Sequence, residues 1–201
     1  MTRLMYIAVA ALTAGACSAP GSTASSPTGP AGPGQTGTSL SPNASPIAAA
    51  NAPTNFVAHL SGDNEIPPRE TLAQGQAIFQ LSPDGESLSY RLMAAKIENL
   101  VAAHIHLGAA DENGPVVAFL FGPESPAGGR HDGVLATGTI ATDDLVGPLT
   151  GMTLADLIAA MTSGDTYVNA HTNDGVAPTN EGPGDFPGGE IRGQIRLAGG
   201  P

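Results

Sequence analysis

The sequence predicts an all-β domain over residues 54–198, a two-layer β-sandwich with one short helix in its C-terminal half. Tryptophan is absent, aromatic residues make up 4% of the chain, and there are 27 glycines and 18 prolines. This composition fits short strands joined by tight turns better than a helical bundle. Apolar and polar residues also alternate with a period of two over most of the region. The region is long enough for one domain with a real core, but not comfortably for two.

Eight segments have the alternation or the apolar character of strands, and turn residues separate them. Residues 82–85, Ser-Pro-Asp-Gly, predict a hairpin turn, and residues 122–133 predict a long Gly- and Pro-rich loop that carries His131. In the last strand, Ile191, Ile195 and Leu197 are expected to face inward. The predicted strands are 56–61, 76–81, 88–93, 103–107, 116–121, 134–140, 167–172 and 190–197.

One helix is predicted over residues 153–163. Thr153 can cap its first turn together with Asp156 three residues later, and Gly164 can end it. The apolar residues that follow Thr153 recur at helical spacing and predict a buried stripe, which consists of Leu154, Leu157, Ile158 and Met161.

The N-terminus has the features of an export signal. Arg3 precedes an apolar run over residues 4–16, too short to span a bilayer as a mature helix and typical of a secretory leader. The run ends in Ala-Gly-Ala-Cys, which resembles a bacterial lipobox, although that pattern usually has leucine where Ala14 stands. We therefore predict a lipoprotein-type signal peptide, 1–17, with lipidation at Cys17. Ordinary secretion with cleavage after a small residue is the alternative.

Residues 18–53 consist mainly of Ser, Thr, Gly, Pro and Ala, with almost no charge. Such a segment buries too little apolar surface to offset its ordering entropy, so we predict a disordered tether. Cys17 is the one cysteine of the chain, so no intrachain disulfide can form. The protein is thus expected to be exported and to contact a membrane only through its lipid anchor, facing the periplasm or the cell exterior.

The net charge is −11 at pH 7 with neutral histidines. An acidic surface repels phosphate groups, which makes nucleic acid and anionic membrane surfaces unlikely partners. Acidity of this kind is most often a means of staying soluble. The sequence also contains no Ser-His-Asp order, nucleophile elbow or Gly-rich phosphate loop that stands out.

The histidines provide the strongest chemical signal. His104 and His106 are two residues apart, so on a strand both leave the same face, and His171 lies on a second strand that shows the same alternation. Three imidazoles therefore converge if the two strands are neighbours. Neutral imidazoles without cysteine suit copper(II), zinc or nickel, and copper is the strongest binder in the usual affinity order. We predict a copper site, with zinc as the alternative.

Further side chains are candidates for the surroundings of this site. His131 is an uncertain fourth ligand, and Asn169 and Glu190 could fix an imidazole by hydrogen bonding. His59 is expected to point away from the core and to take no part. A lone His-x-His pair on a strand is also compatible with a purely structural role, so the metal site remains one interpretation among several.

Four motifs stand out at separate points over roughly residues 54–198. They are Leu60-Ser61-Gly62 with Asn64-Glu65-Ile66-Pro67-Pro68, Ala103-His104-Ile105-His106, Tyr167-Val168-Asn169-Ala170-His171-Thr172, and Gly189-Glu190-Ile191-Arg192-Gly193-Gln194-Ile195. In this order they resemble the motifs of the chordin-type (CHRD) domain family. The resemblance implies an all-β Greek-key sandwich of the kind found in exported bacterial proteins and in chordin, and it implies no single established activity.

A more distant likeness is to copper-zinc superoxide dismutase, which also has a His-x-His pair on one strand and a later histidine. By that likeness His104, His106 and His171 stand where copper ligands stand. The bridging histidine and the disulfide cysteines of that enzyme have no counterpart here. Three functions follow: a copper-binding module, a non-catalytic interaction or adhesion domain that binds an envelope protein through the sheet face or through loops 108–115 and 122–133, and a dismutase-like redox enzyme.

Overall fold

The structure is a computed structural model that describes residues 55–199. The predicted signal peptide 1–17, its lipidation site Cys17 and the predicted linker 18–53 lie outside the described residues. Within them, the prediction of an all-β fold with one short α-helix is confirmed. The helix α1 is Leu154–Ser163, and the strands are β1 Asn55–Ser61, β2 Gln74–Leu81, β3 Leu88–Glu98, β4 Leu100–Leu107, β5 Val116–Phe121, β6 Arg130–Ile140, β7 Thr166–Thr172, β8 Ile191–Gln194 and β9 Arg196–Leu197.

All the strand pairings are antiparallel, and the strands form one sheet in the order β5-β4-β7-β8-β1-β2-β3-β6, with β9 paired to β1. Three of the neighbouring pairs, β3/β6, β4/β7 and β1/β8, join strands that are not consecutive in the chain. The hairpin at 82–85 forms as expected, because β2 and β3 pair directly on either side of it. One half of the sheet, β5-β4-β7-β8, carries the site described below.

A single apolar core lies between the two halves of the sheet. Phe56 and Phe79 come from one half and Ile105 and Val168 from the other, and each of the four is fully buried. Burial of apolar area of this kind is the main stabilising contribution in a domain that has no disulfide. The core fixes which face of β4 and β7 points inward, and hence which residues point outward.

The helix α1 forms as predicted. Thr153 and Asp156 make a reciprocal capping box, and Gly164 ends the helix in a left-handed conformation with φ of 79°. The predicted apolar stripe is buried in the core. None of the helices among the described residues has the length and apolar character needed to cross a membrane.

Several strand ends differ from the prediction, among them the end of β3 at Glu98 and the start of β4 at Leu100, and two of the differences change the placement of residues singled out above. β6 begins at Arg130 rather than at residue 134, so His131 lies on a strand opposite Ile97 and not in the preceding loop. The reason is that β3 continues to Glu98 and supplies a pairing partner, which overrides the Gly- and Pro-rich composition. At the C-terminus, Ile195 separates β8 from β9, and Leu197 is 36% exposed instead of facing inward.

Asn99 links β3 to β4 and also contacts the two loops beside the site. It adopts a left-handed conformation with φ of 52°, which asparagine tolerates better than most residues. Its side-chain amide donates to Gly184 O at 3.2 Å, and its side-chain oxygen accepts from Gly129 N at 3.0 Å. One junction residue therefore holds parts of the 122–129 and 173–190 loops.

Candidate metal centre

The register between β4 and β7 brings the three predicted histidines onto one outward face. His104 lies opposite Asn169, His106 lies opposite Tyr167, and His171 lies opposite Ala102. Because side chains two residues apart on a strand share a face, His171 is a diagonal neighbour of His104. The strands named in the sequence interpretation are thus direct neighbours.

The imidazole rings converge closely enough to hold one metal ion. One ring nitrogen from each of His104, His106 and His171 lies within 4.8 Å of the other two. The shortest separation is 3.2 Å, between His104 Nδ1 and His171 Nε2. In the metal-free protein this contact is a hydrogen bond between the two rings. Two nitrogens bound to one tetrahedral zinc at 2.0–2.1 Å are separated by about 3.3 Å, so these two nitrogens are already at the spacing that a shared ion requires.

Backbone carbonyl groups set the tautomer of two of the rings. His106 Nδ1 lies 2.9 Å from Gly114 O, and His171 Nδ1 lies 3.0 Å from Pro187 O. A carbonyl oxygen can only accept, so each Nδ1 carries the proton and donates it, which leaves the lone pair on Nε2. His106 Nε2 is buried and has no hydrogen-bond partner among the described residues. An unpaired buried nitrogen with an available lone pair fits a missing ligand better than a finished structural contact.

Electrostatics also favour the neutral rings that a metal requires. Burial is the largest cause, and together with the neighbouring imidazoles it lowers the pKa of His104 and of His171 to about 4, although the bond of His171 to Pro187 acts in the opposite direction. Burial likewise lowers the pKa of His106, although its bond to Gly114 acts in the opposite direction. All three rings are therefore unprotonated at neutral pH. Copper and zinc bind the unprotonated form.

A stack of side chains that the sequence interpretation missed supports His106. Its ring is parallel to that of Tyr167, with ring centroids 4.9 Å apart and an interplanar angle of 9°. The guanidinium of Arg192 lies 3.4 Å from the centroid of the same tyrosine ring. Tyr167 also accepts a hydrogen bond from Gly114 N at 2.9 Å, next to the carbonyl that orients His106. The aromatic stack and the loop thus both fix the position of the His106 imidazole.

A buried carboxyl group, Glu65, was also missed, although it stands in the first CHRD-like motif. It is 4% exposed, and both of its oxygens lie 3.1 Å from the Asn169 amide nitrogen, which donates to them. Burial raises the pKa of Glu65 to about 7 despite this hydrogen bond and the nearby arginines. Asn169 therefore contacts Glu65, and it lies on the same face as the histidines between His171 and Tyr167.

The remaining predicted residues are placed elsewhere. Glu190 is fully buried and accepts hydrogen bonds from Thr71, Thr172 and Gly184 N; it makes no hydrogen bond to a histidine within residues 55–199. His131 lies on β6 and does not belong to the three-histidine group. His59 is exposed on β1.

Comparison with known proteins gives a single type of match. No curated protein and no solved structure matches the chain significantly. The model of the CHRD domain matches residues 56–195, which is most of the chain and includes every residue of the site. The match covers the same region as the four sequence motifs, and the chain belongs to the CHRD domain family.

Proposed function

We propose that this CHRD domain binds one divalent transition-metal ion, with copper favoured, through His104, His106 and His171. The observation that supports the proposal most directly is the buried, unpaired His106 Nε2 in a group of three converging imidazoles. The carbonyl groups of Gly114 and Pro187 would act as the outer partners that keep two of the rings in the ligating tautomer.

The donor set favours copper over harder cations. The group consists of three neutral nitrogens and contains no carboxylate or thiolate. Calcium and magnesium prefer oxygen ligands, whereas imidazole suits copper, zinc and nickel. Copper(II) has the highest affinity of these in the usual order, so we propose copper and keep zinc as the alternative.

The test is a titration of the purified protein with copper(II) and zinc(II), followed by calorimetry and, for copper, by electron paramagnetic resonance. We expect one ion per chain and nitrogen hyperfine structure from imidazole. The variant His104→Ala/His106→Ala should lose most of the affinity, whereas His59→Ala, an exposed histidine outside the group, should keep it. Equal binding by the wild type and the double variant would rule out this site.

A second candidate function is an interaction domain with structural histidines. Phe119 is 50% exposed on β5 and contacts His104 edge-on, with ring centroids 4.8 Å apart. An exposed aromatic residue is the kind of side chain that protein interfaces use. Failure of metal binding, together with capture of an envelope protein that Phe119→Ser abolishes, would favour this function. Superoxide turnover by the copper-loaded protein would instead favour a dismutase-like enzyme.

We also propose that the protein is exported and anchored by a lipid on Cys17, which would place the domain at the cell envelope. The support is the leader sequence alone, with its apolar run and small residues before the lone cysteine. Fractionation of cells should find the wild type with membranes and Cys17→Ser in the soluble fraction. Wild type found wholly soluble, with its N-terminus elsewhere, would contradict the anchor.

A further inference from the structure

We infer that Arg192 and Glu190 are positioning residues of the metal centre, each of which holds one of the two loops whose carbonyl groups orient a histidine. The inference deepens the proposed function and rests on it for its metal-binding consequence. Both side chains are almost fully buried, at 1% and 0% exposure, and they are separated by one residue in the chain.

Arg192 holds the loop between β4 and β5. Its terminal nitrogens donate to Ala109 O and Glu112 O, both at 2.7 Å, and to the Asn113 side-chain oxygen at 3.1 Å. The next residue of that loop is Gly114, whose carbonyl accepts from His106 Nδ1. Arg192 also packs on Tyr167, the aromatic ring between the guanidinium and His106. It therefore acts on His106 both through the loop and through the stack.

Glu190 holds the loop before β8 in a comparable way. One of its oxygens accepts from Thr172 Oγ1 at 2.7 Å and from Gly184 N at 2.8 Å, and the other accepts from Thr71 Oγ1 at 2.6 Å. The Thr172 hydroxyl in turn accepts from Phe186 N at 3.0 Å. These contacts fix the segment directly before Pro187, whose carbonyl accepts from His171 Nδ1.

Buried charged residues such as Arg192 and Glu190 are a costly way to hold two loops. Burying an ion costs several kcal/mol, and apolar residues of similar volume often stabilise a fold as well or better. Arg192 has no carboxylate within ion-pair distance among the described residues, so its direct partners are neutral oxygens, and Glu65 and Asp111 act on its charge from farther away. What these side chains provide is several directional hydrogen bonds to loop backbone, which set where a carbonyl oxygen points.

The experiment measures the imidazole tautomers of the metal-free protein by nitrogen-15 NMR, in the wild type and in Arg192→Met and Glu190→Gln. The wild type should show the proton on Nδ1 of His106 and of His171. Arg192→Met should shift His106 towards a mixture of tautomers and leave His171 unchanged, whereas Glu190→Gln should do the reverse. A general loss of stability would not produce such opposite effects. Unchanged tautomers in both variants would overturn the inference.

Copper titration supplies the second measurement. Each variant should bind about tenfold more weakly than the wild type, the usual order for loss of an outer partner. Leu92→Ala, a destabilising control in the buried core of β3, should bind with unchanged affinity. Where a neutral variant fails to fold, Arg192→Lys and Glu190→Asp serve the same test and should show a smaller shift at the same histidine. Tautomers that shift as expected in a protein that binds neither copper nor zinc would refute the proposed function and leave the positioning role standing.

Discussion

Strands β3 and β7 lie in opposite halves of the sheet and differ in what covers their outer faces. Along β3, buried residues are separated by exposed ones such as Ser89 and Arg91. Along β7, every residue except His171 is buried, including the outward-facing Tyr167 and Asn169. A sheet with one solvated face is the ordinary case in antiparallel folds. The second, polar layer over β7 is the exception, and the histidine group lies within it.

The polar layer over β7 carries an energetic cost that the solvated outer face of β3 does not. Burying polar groups is unfavourable unless they are hydrogen bonded. Over β7 the loops provide those bonds, from Gly114, Pro187 and Glu65, and within residues 55–199 they leave His106 Nε2 and Asn169 Oδ1 without a hydrogen-bond partner. A local departure from the simple pattern, concentrated around three ligand-type side chains, is expected of a functional site.

We call the half of the sheet formed by β5, β4, β7 and β8, whose outer face carries the polar layer, the covered half. The largest effect on stability should come from removing the buried carboxyl group of Glu190 in this half. Glu190→Ala leaves two hydroxyl groups and one backbone N–H without their shared acceptor in a fully buried position, and it should lower the free energy of unfolding by about 3 kcal/mol. Glu86→Ala, on the exposed hairpin turn between β2 and β3, should change it by less than about 0.5 kcal/mol. Urea denaturation of both variants measures the difference, and equal losses would contradict the comparison.

Lowering the pH should reduce the stability of the metal-free domain mainly through the histidines of the covered half. The pKa of His104 and of His171 is lowered by burial to about 4 from an ordinary value of 6.5. Between these values the unfolded chain binds protons that the folded chain does not, so the metal-free domain should lose stability as pH falls from about 6.5 to about 4. Denaturation at a series of pH values measures the slope. His104→Gln/His171→Gln should flatten it, and the exposed His59→Gln should not.

Protonation of Glu65 changes the stability in the opposite direction over part of this pH range. Its pKa is raised by burial to about 7 from an ordinary value of 4.5, so the folded state binds the extra proton between these values. Its contribution to stability therefore increases as pH falls from 7 to 4.5, and it offsets part of the loss from the two histidines. Glu65→Gln should accordingly steepen the decline between pH 6.5 and 4.5. A shallower decline would show that the carboxyl group is already ionised in the folded protein.

A smaller loss of stability is expected from removing the hydroxyl group of Tyr167 or of Tyr90, each of which takes part in a hydrogen bond. Tyr167→Phe removes the acceptor of Gly114 N in the covered half, and Tyr90→Phe removes a donor on β3, in the other half, to Leu120 O on β5. Each should cost about 1 kcal/mol of stability. Only Tyr167→Phe should also alter the NMR signals of the His106 ring, because only that hydroxyl contacts the loop that orients it. Equal changes at His106 in both variants would contradict the assignment.

The smallest effect is expected on the outer face of β2. Ile78 is 41% exposed there, so Ile78→Thr should change the free energy of unfolding by less than about 0.5 kcal/mol in either direction. Val168→Thr places the same hydroxyl group in a fully buried position of β7 and should cost several times more. Thermal denaturation of the pair measures the difference between an exposed position on the outer face of β2 and a position of β7 in the apolar core.

Much of this arrangement could be predicted because it depends on local pattern. Alternation within β1 to β4 and within β7 places strands and faces, the continuous apolar run places β5, and capping residues mark α1. His104 and His106 share a face through spacing alone. That His171 joins them depends on the pairing of β4 with β7, which the sequence interpretation could state only as a condition.

What the sequence interpretation missed depends on loops that fold back over long separations. Arg192 and Gln194 are polar and alternate with inward residues, which predicts solvent exposure, yet Arg192 is buried because residues 109–113 close over it. Glu65 follows a turn and gives no sign of burial by periodicity. Leu197 was expected inward by continued alternation, but the break at Ile195 interrupts that alternation.

The register of β4 and β7 has a consequence for the order of folding. His104 and His171 are separated by 67 residues, so the unfolded chain offers at most the adjacent pair His104 and His106 as a ready chelate. Closing so long a loop carries an entropic cost, which the packed core and the completed sheet offset without a metal ion. The third ligand joins the pair once β4 and β7 have paired. An ion held by all three histidines would therefore report that this part of the sheet has formed.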